Sequence, residues 1–92
     1  MSDKRIYKYT ITPRGTTTMP TGALVLSVGQ QGDDIVCWAI VNPDAPMVER
    51  DISAFPTGGL APSLRHASFI GTVQRTDGLV FHFFDLGEKV QG

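Results

Sequence analysis

The chain contains a single cysteine, Cys37, in 92 residues. One thiol excludes an internal disulfide framework and a zinc cage built on several cysteines. It lies in the apolar run "IVCWAIV", where a small buried thiol is hard to ionise and reads as packing material. Histidine is scarce as well: His66 and His82 are the two, and neither has further ligands at a metal-binding spacing. No metal and no organic cofactor is expected. Charge is also low, at 18% of residues with a formal net charge of -1. That balance provides no basic field for nucleic acid. No apolar run is long enough to cross a membrane as a helix. The opening "MSDKRIYKYT" carries charges with no hydrophobic region after them, unlike a signal peptide.

Helical signals are missing too. One window, "APSLRHASF", could start a short turn at Pro62 and Ser63 running through Leu64 and Arg65. Everything else reads as strand. "RIYKYTIT" alternates, with Tyr7, Tyr9 and Ile11 on one side and Lys8, Thr10 and Thr12 on the other. Pro13 closes it, and "PRGTTTMPTG" reads as an irregular, mobile connection. "ALVLSVGQQ" and "IVCWAIV" are joined by the hairpin turn "QGDD", in which Gly32 supplies a positive φ. "IVCWAIV" is apolar on both faces and so central in its sheet. "MVERDISAF" is polar enough to suggest an edge or a solvent-facing strand. "ASFIGTVQ" and "LVFHFFDL" are joined by "RTDG", and "GEKVQG" follows as a polar tail. The expected fold is a single all-β domain over residues 1–92, with flexible tails at 1–4 and 87–92. About six antiparallel strands would form a small barrel or curled sheet built from hairpins. A second covering layer is needed for the apolar strands: the closing sheet or another copy of the chain.

The segment "FPTGGLAPSLRH" draws attention as a glycine-rich loop. Walker loops need a lysine after the last glycine and a following helix. No lysine follows Gly59, so a nucleoside triphosphatase is excluded. Backbone amides around the paired Gly58 and Gly59 could still cradle an anion beside Thr57, with Arg65 making a bidentate contact and His66 beside it. The plainer reading is a connection between strands that uses glycine for its shape. Arg50 shares a strand face with Val48 and Ile52, while Glu49 and Asp51 take the other. An arginine among apolar neighbours must be paired or bind an anion, unless it snorkels to water. Trp38 and the other aromatics are core in the plain reading; one could also stack a planar ligand. The adjacent Asp33 and Asp34 read as a solvated turn. Ser63, His82 and Asp85 could be drawn as a triad, but no nucleophile elbow is present. No motif carries a catalytic mechanism, so the chain reads as non-enzymatic.

The order "IYKYTI", "MPTGALVLSVGQQGDDIVCWAIVNPDAPMVER", a Thr-Gly pair, then "FIGTVQRTDGLVFHFF" resembles a family of small bacteriophage-encoded hypothetical proteins, from about Ile6 to Phe84. The pattern marks Trp38, Pro43, Pro46, Glu49, Arg50, Thr57, Gly58 and Gly71. The resemblance implies an accessory protein acting in the host bacterial cytoplasm. The expected function is binding without catalysis: a host protein, or a small nucleotide-like signalling ligand sequestered to counter host antiviral defence. The expected ligand-binding residues are Trp38, Glu49, Arg50, Thr57, Gly58, Gly59, Arg65 and His66, in a chain that dimerises. The alternative is a structural or assembly module of the phage particle.

Overall fold

The computed structural model describes residues 3–12, 15–63 and 65–89. Among the described residues there are seven strands: β1 (Arg5–Ile11), β2 (Thr16–Pro20), β3 (Leu24–Gln31), β4 (Asp34–Val41), β5 (Met47–Pro56), β6 (Ser68–Gln74) and β7 (Val80–Glu88). They form two antiparallel sheets, one ordered β1-β4-β3 and the other β2-β5-β7-β6. The sheets pack face to face, so the fold is a β-sandwich. The closed barrel or single curled sheet expected from the pattern is not formed. β3 and β6 lie side by side, but no ladder joins them.

Both expected hairpins are present. Gly32, at φ 59°, turns β3 into β4. Between β6 and β7, Gly78 donates to the Arg75 carbonyl at 3.0 Å and Arg75 donates to that of Leu79 at 2.8 Å. Both turns use a glycine where positive φ is required. β4 is the middle strand of its sheet, as its two apolar faces require.

β5 is also a middle strand, flanked by β2 and β7, so of the two expected placements it is not an edge, while Met47 and Glu49 on its outer face are exposed to solvent. Its polar residues are accommodated in two ways. Arg50 finds ionic partners on the inner face, and Asp51 accepts a 2.6 Å hydrogen bond from the Ser53 hydroxyl. β2 was read as an irregular connection. Its threonines suit a pleated strand, Met19 is fully buried, and Pro20 is tolerated at the end of an edge strand. Pro13 and Arg14, part of the expected connection, lie outside the described residues. So does Leu64, the middle of the expected turn; no helix occurs among the described residues. β7 continues through Gly87 and Glu88, two residues into the segment read as a tail. Residues 90–92 lie outside the described residues.

The core lies between the sheets. Ile11, Val25, Cys37, Ala39 and Val41 from one sheet meet Met19, Ile52, Ile70, Val73 and Phe83 from the other. Tyr9, Val28, Ile35, Ala54 and Phe81 pack around them. Burial pushes the Cys37 thiol up to about 11, with Asp85 adding to the effect. It is therefore a poor nucleophile at neutral pH.

Candidate functional site: an aromatic groove on an outer sheet face

The site follows from the topology of the second sheet. β5 and β6 both run antiparallel to β7 and flank it, so they are parallel to each other. β5 ends with Pro56 opposite Phe81, and β6 starts with Ser68 opposite Asp85. The connection over 57–67 must therefore travel the length of four β7 residues, roughly 13 Å. The inner face is filled by the other sheet. Its described first part, Thr57 to Pro62, lies against the outer face.

Alternation decides what it covers. On β7, Phe83 and Asp85 are buried, so His82 and Phe84 point outward. Phe84 lies opposite Phe69 of β6, and His82 lies between Phe55 of β5 and Thr72 of β6. The three phenyl rings form an edge-to-face row. Phe55 and Phe84 have centroids 5.7 Å apart at 83°, and Phe69 and Phe84 are 5.5 Å apart at 62°. Such geometry sets the positive rim of one ring against the negative face of the next. Leu60, Ala61 and Pro62 form the facing wall. Together they bound an open groove of about 320 Å³. Phe69 is 59% exposed and Leu60 is 90% exposed.

One polar element lies at the groove. The His82 ring is bridged by two hydroxyls, Nε2 to Thr57 Oγ1 at 2.8 Å and Nδ1 to Thr72 Oγ1 at 3.0 Å. A threonine hydroxyl can donate or accept, so this pair satisfies either tautomer. The start of the loop is held from inside the protein. Thr57 N–H donates to the Val80 carbonyl at 3.1 Å, and Gly59 N–H to that of Pro56 at 3.0 Å. Of the two glycine amides expected to cradle an anion, that of Gly59 is thus engaged within the loop.

The other expected site residues separate. Arg65 and His66 line a neighbouring recess with Ser68, Leu86 and Glu88. Glu49 is exposed on β5, opposite Thr18. Trp38 lies on the outer face of the other sheet, its ring so close to Gly29 that a β-carbon there would sit 3.2 Å away. Arg50 points inward. Its Nε donates to both carboxylate oxygens of Asp85, at 3.0 and 3.1 Å, and its Nη1 reaches Glu88 at 3.4 Å. A β-bulge in β7 makes this possible, because Asp51 pairs with Gly87 but Ile52 with Asp85. The extra residue brings both Asp85 and Glu88 to the side that Arg50 faces. Asp85 and His82 thus lie on opposite faces of β7, so no triad forms with Ser63. Among the described residues, no cluster of three or more His, Cys, Asp or Glu side chains is placed to hold a metal ion.

Glu88 also fastens the β2–β3 turn. Its carboxylate accepts from Gly22 N–H at 2.7 Å and from the Thr21 hydroxyl at 2.8 Å. These bonds, helped by Arg50, hold its carboxyl below the ordinary 4.5. A lowered folded-state value means stability that is present above pH 4.5 and lost as pH falls through the folded value. Urea unfolding of the wild type and Glu88→Gln should therefore differ at neutral pH and converge in acid. A difference that persists unchanged at pH 3 would refute the assignment.

The sequence pointed to the loop from Thr57 onward, with Leu60 and Pro62 inside it, and left Phe84 as core or pocket; Phe55 and Phe69 at the groove were missed. The available signal was the alternation in "VFHFF". With Phe83 inside, Phe84 and His82 must face out.

The fold and groove define a seven-stranded antiparallel β-sandwich with an open aromatic groove walled on one side by the β5–β6 connection. This is a class of scaffold rather than an activity, because a sandwich supports many functions. The chain belongs to the family described as domain of unknown function DUF7352, which matches residues 2–91. No curated protein and no solved structure matches it. The family match does not show that the chain is phage-encoded. Among the described residues, no helix is long and apolar enough to cross a membrane.

Proposed function

We propose that this chain is a non-enzymatic binding protein whose recognition surface is the Phe55–Phe69–Phe84 groove. Its ligand is an apolar or aromatic side chain presented by a protein partner. The supporting observation is an aromatic row, partly buried at Phe55 and Phe84 and exposed at Phe69, with an apolar wall, in a chain whose core is already filled by other residues. Contiguous aromatic surface of this kind marks interaction sites. The bacteriophage resemblance supplies the setting: a host bacterial protein as partner, bound in the cytoplasm, with interference in host defence as the consequence. A nucleotide-like ligand is less well served. Arg50, the side chain expected to hold phosphate, is occupied by Asp85 and Glu88 on the far side of the sheet.

The test is a nitrogen-15 NMR titration with two sets of probes: short peptides carrying one Phe, Trp or Leu, and a set of cyclic nucleotides. Peptide-induced shifts should cluster at Thr57 to Leu60, Phe69 and Phe84. Phe69→Ala should weaken peptide binding about tenfold, the usual size of a lost aromatic contact. Shifts caused only by nucleotides and centred on Arg65 and His66 would overturn the proposal, as would the absence of shifts from either set.

A further inference from the structure

Four strands lie at sheet edges: β1 and β3 in one sheet, β2 and β6 in the other. An edge exposes unpaired backbone groups, and proteins usually blunt it with bulges, prolines, short strands or covering elements. Three of these edges are blunted. β3 has a register shift between Val25 and Ser27, and β6 has one between Phe69 and Gly71. These two also lie against each other, with Gly71 at Val28. β2 is the shortest strand and ends in Pro20.

Among the described residues, β1 has no bulge and no proline, and charge at Arg5 and Lys8 is the one such device it carries. It pairs with β4 in unbroken register from Arg5↔Val41 to Ile11↔Ile35. It contains no proline and no glycine, and it touches β2 only slightly. Two large side chains are left open there, Ile6 at 63% and Tyr7 at 43% exposure. Its central charge is turned away from the edge: Lys8 reaches across β4 to donate to Gln31 Oε1 of β3 at 2.8 Å.

We propose that the free edge of β1 is a homodimer interface. β1 of a second copy pairs antiparallel with it about a two-fold axis at Tyr7. The two three-stranded sheets then become one continuous sheet of six strands. The register identifies the occupant. Centring on Tyr7 sets Ile6 opposite the aliphatic stem of Lys8 and Arg5 opposite Tyr9, a cation-over-ring pair. Centring on Lys8 would place like charges opposite each other, which is unfavourable. The strand is thus complementary to itself, as an isologous interface requires. The groove lies on the other sheet, so the dimer carries two open grooves and does not depend on the groove's role.

Sedimentation velocity across a concentration series, with two single substitutions, tests this. The wild type should show a reversible monomer–dimer equilibrium. Ile6→Lys, at an exposed position, should raise the dimer dissociation constant at least about tenfold with an unchanged circular dichroism spectrum. Tyr7→Cys, at the two-fold axis, should form a disulfide-linked dimer under mild oxidation. Gln74→Cys, on the exposed edge of β6, should not. A chain that remains monomeric throughout would overturn the proposal. So would a dimer that neither Ile6→Lys weakens nor Tyr7→Cys captures.

Discussion

Asp85→Ala is expected to destabilise the protein by about 3 kcal/mol, the lower end of the range for breaking a buried ion pair. Asp85 is the one charged side chain buried among the described residues. Its Oδ1 accepts from Arg50 Nε at 3.0 Å and from Gly87 N–H at 2.9 Å. Alanine removes the acceptor of both bonds. The Arg50 side chain, only 13% exposed, then keeps Glu88 alone as its ionic partner, at 3.4 Å. The loss is mainly the cost of a charge held out of water without its counterion, not the net worth of the pair. Urea unfolding followed by the fluorescence of the lone tryptophan measures it. The double variant Arg50→Met with Asp85→Leu should recover most of the loss, because neither charge then needs solvating. A loss under about 1 kcal/mol in Asp85→Ala would place Arg50 among exposed ion pairs.

The second large effect is expected at Gly71. Gly71→Ala should cost about 3 kcal/mol, from two separable causes. Its φ of 152° is one that side chains rarely adopt, and such strain costs about 1–3 kcal/mol. An added β-carbon would also lie 2.8 Å from Val28 Cγ1 on the opposing sheet, which is overpacking at a similar cost. Gly78→Ala separates the two. Gly78 has a φ of 90° and open space around it, so it reports backbone strain alone. Shortening the neighbour with Val28→Ala in the Gly71→Ala background should relieve the clash and leave the strain. If Gly71→Ala and Gly78→Ala cost the same, the close approach of β6 to β3 is not what requires glycine there.

Both residues show where the sequence is legible. The pattern marked Gly71 for backbone shape, which its φ fits, but not for its second reason, Val28, which lies more than forty residues away in the chain. Arg50 was recognisable as a residue needing a partner, since it shares a face with Val48 and Ile52. The partner was not recognisable. Asp85 and Glu88 have opposite strand parities, and only the bulge in β7 turns both toward Arg50. The Thr57–Gly59 turn was seen as a candidate site, but its contribution is a rim for an aromatic groove rather than an anion cradle. The strand Thr16–Pro20 was hidden by its own composition, since threonine, proline and glycine nearby resemble a loop until β5 offers an edge to pair with.

The sequence by itself determined that the chain is all-β, that β3–β4 and β6–β7 are hairpins, and that β4 is central. These properties follow from period-two alternation and from glycine at turns, both of which act over a few residues. Tertiary structure alone decided that there are two facing sheets rather than a barrel, that polar β5 is internal, and that the connection after Pro56 crosses β7. It also decided that Phe55, Phe69 and Phe84 meet on an outer face. Alternation states which residues share a face; it does not state whether that face meets another sheet, a crossing loop or water. That choice depends on contacts between distant segments, and for this chain those contacts turn the expected phosphate-holding arginine inward and leave the aromatic row outside.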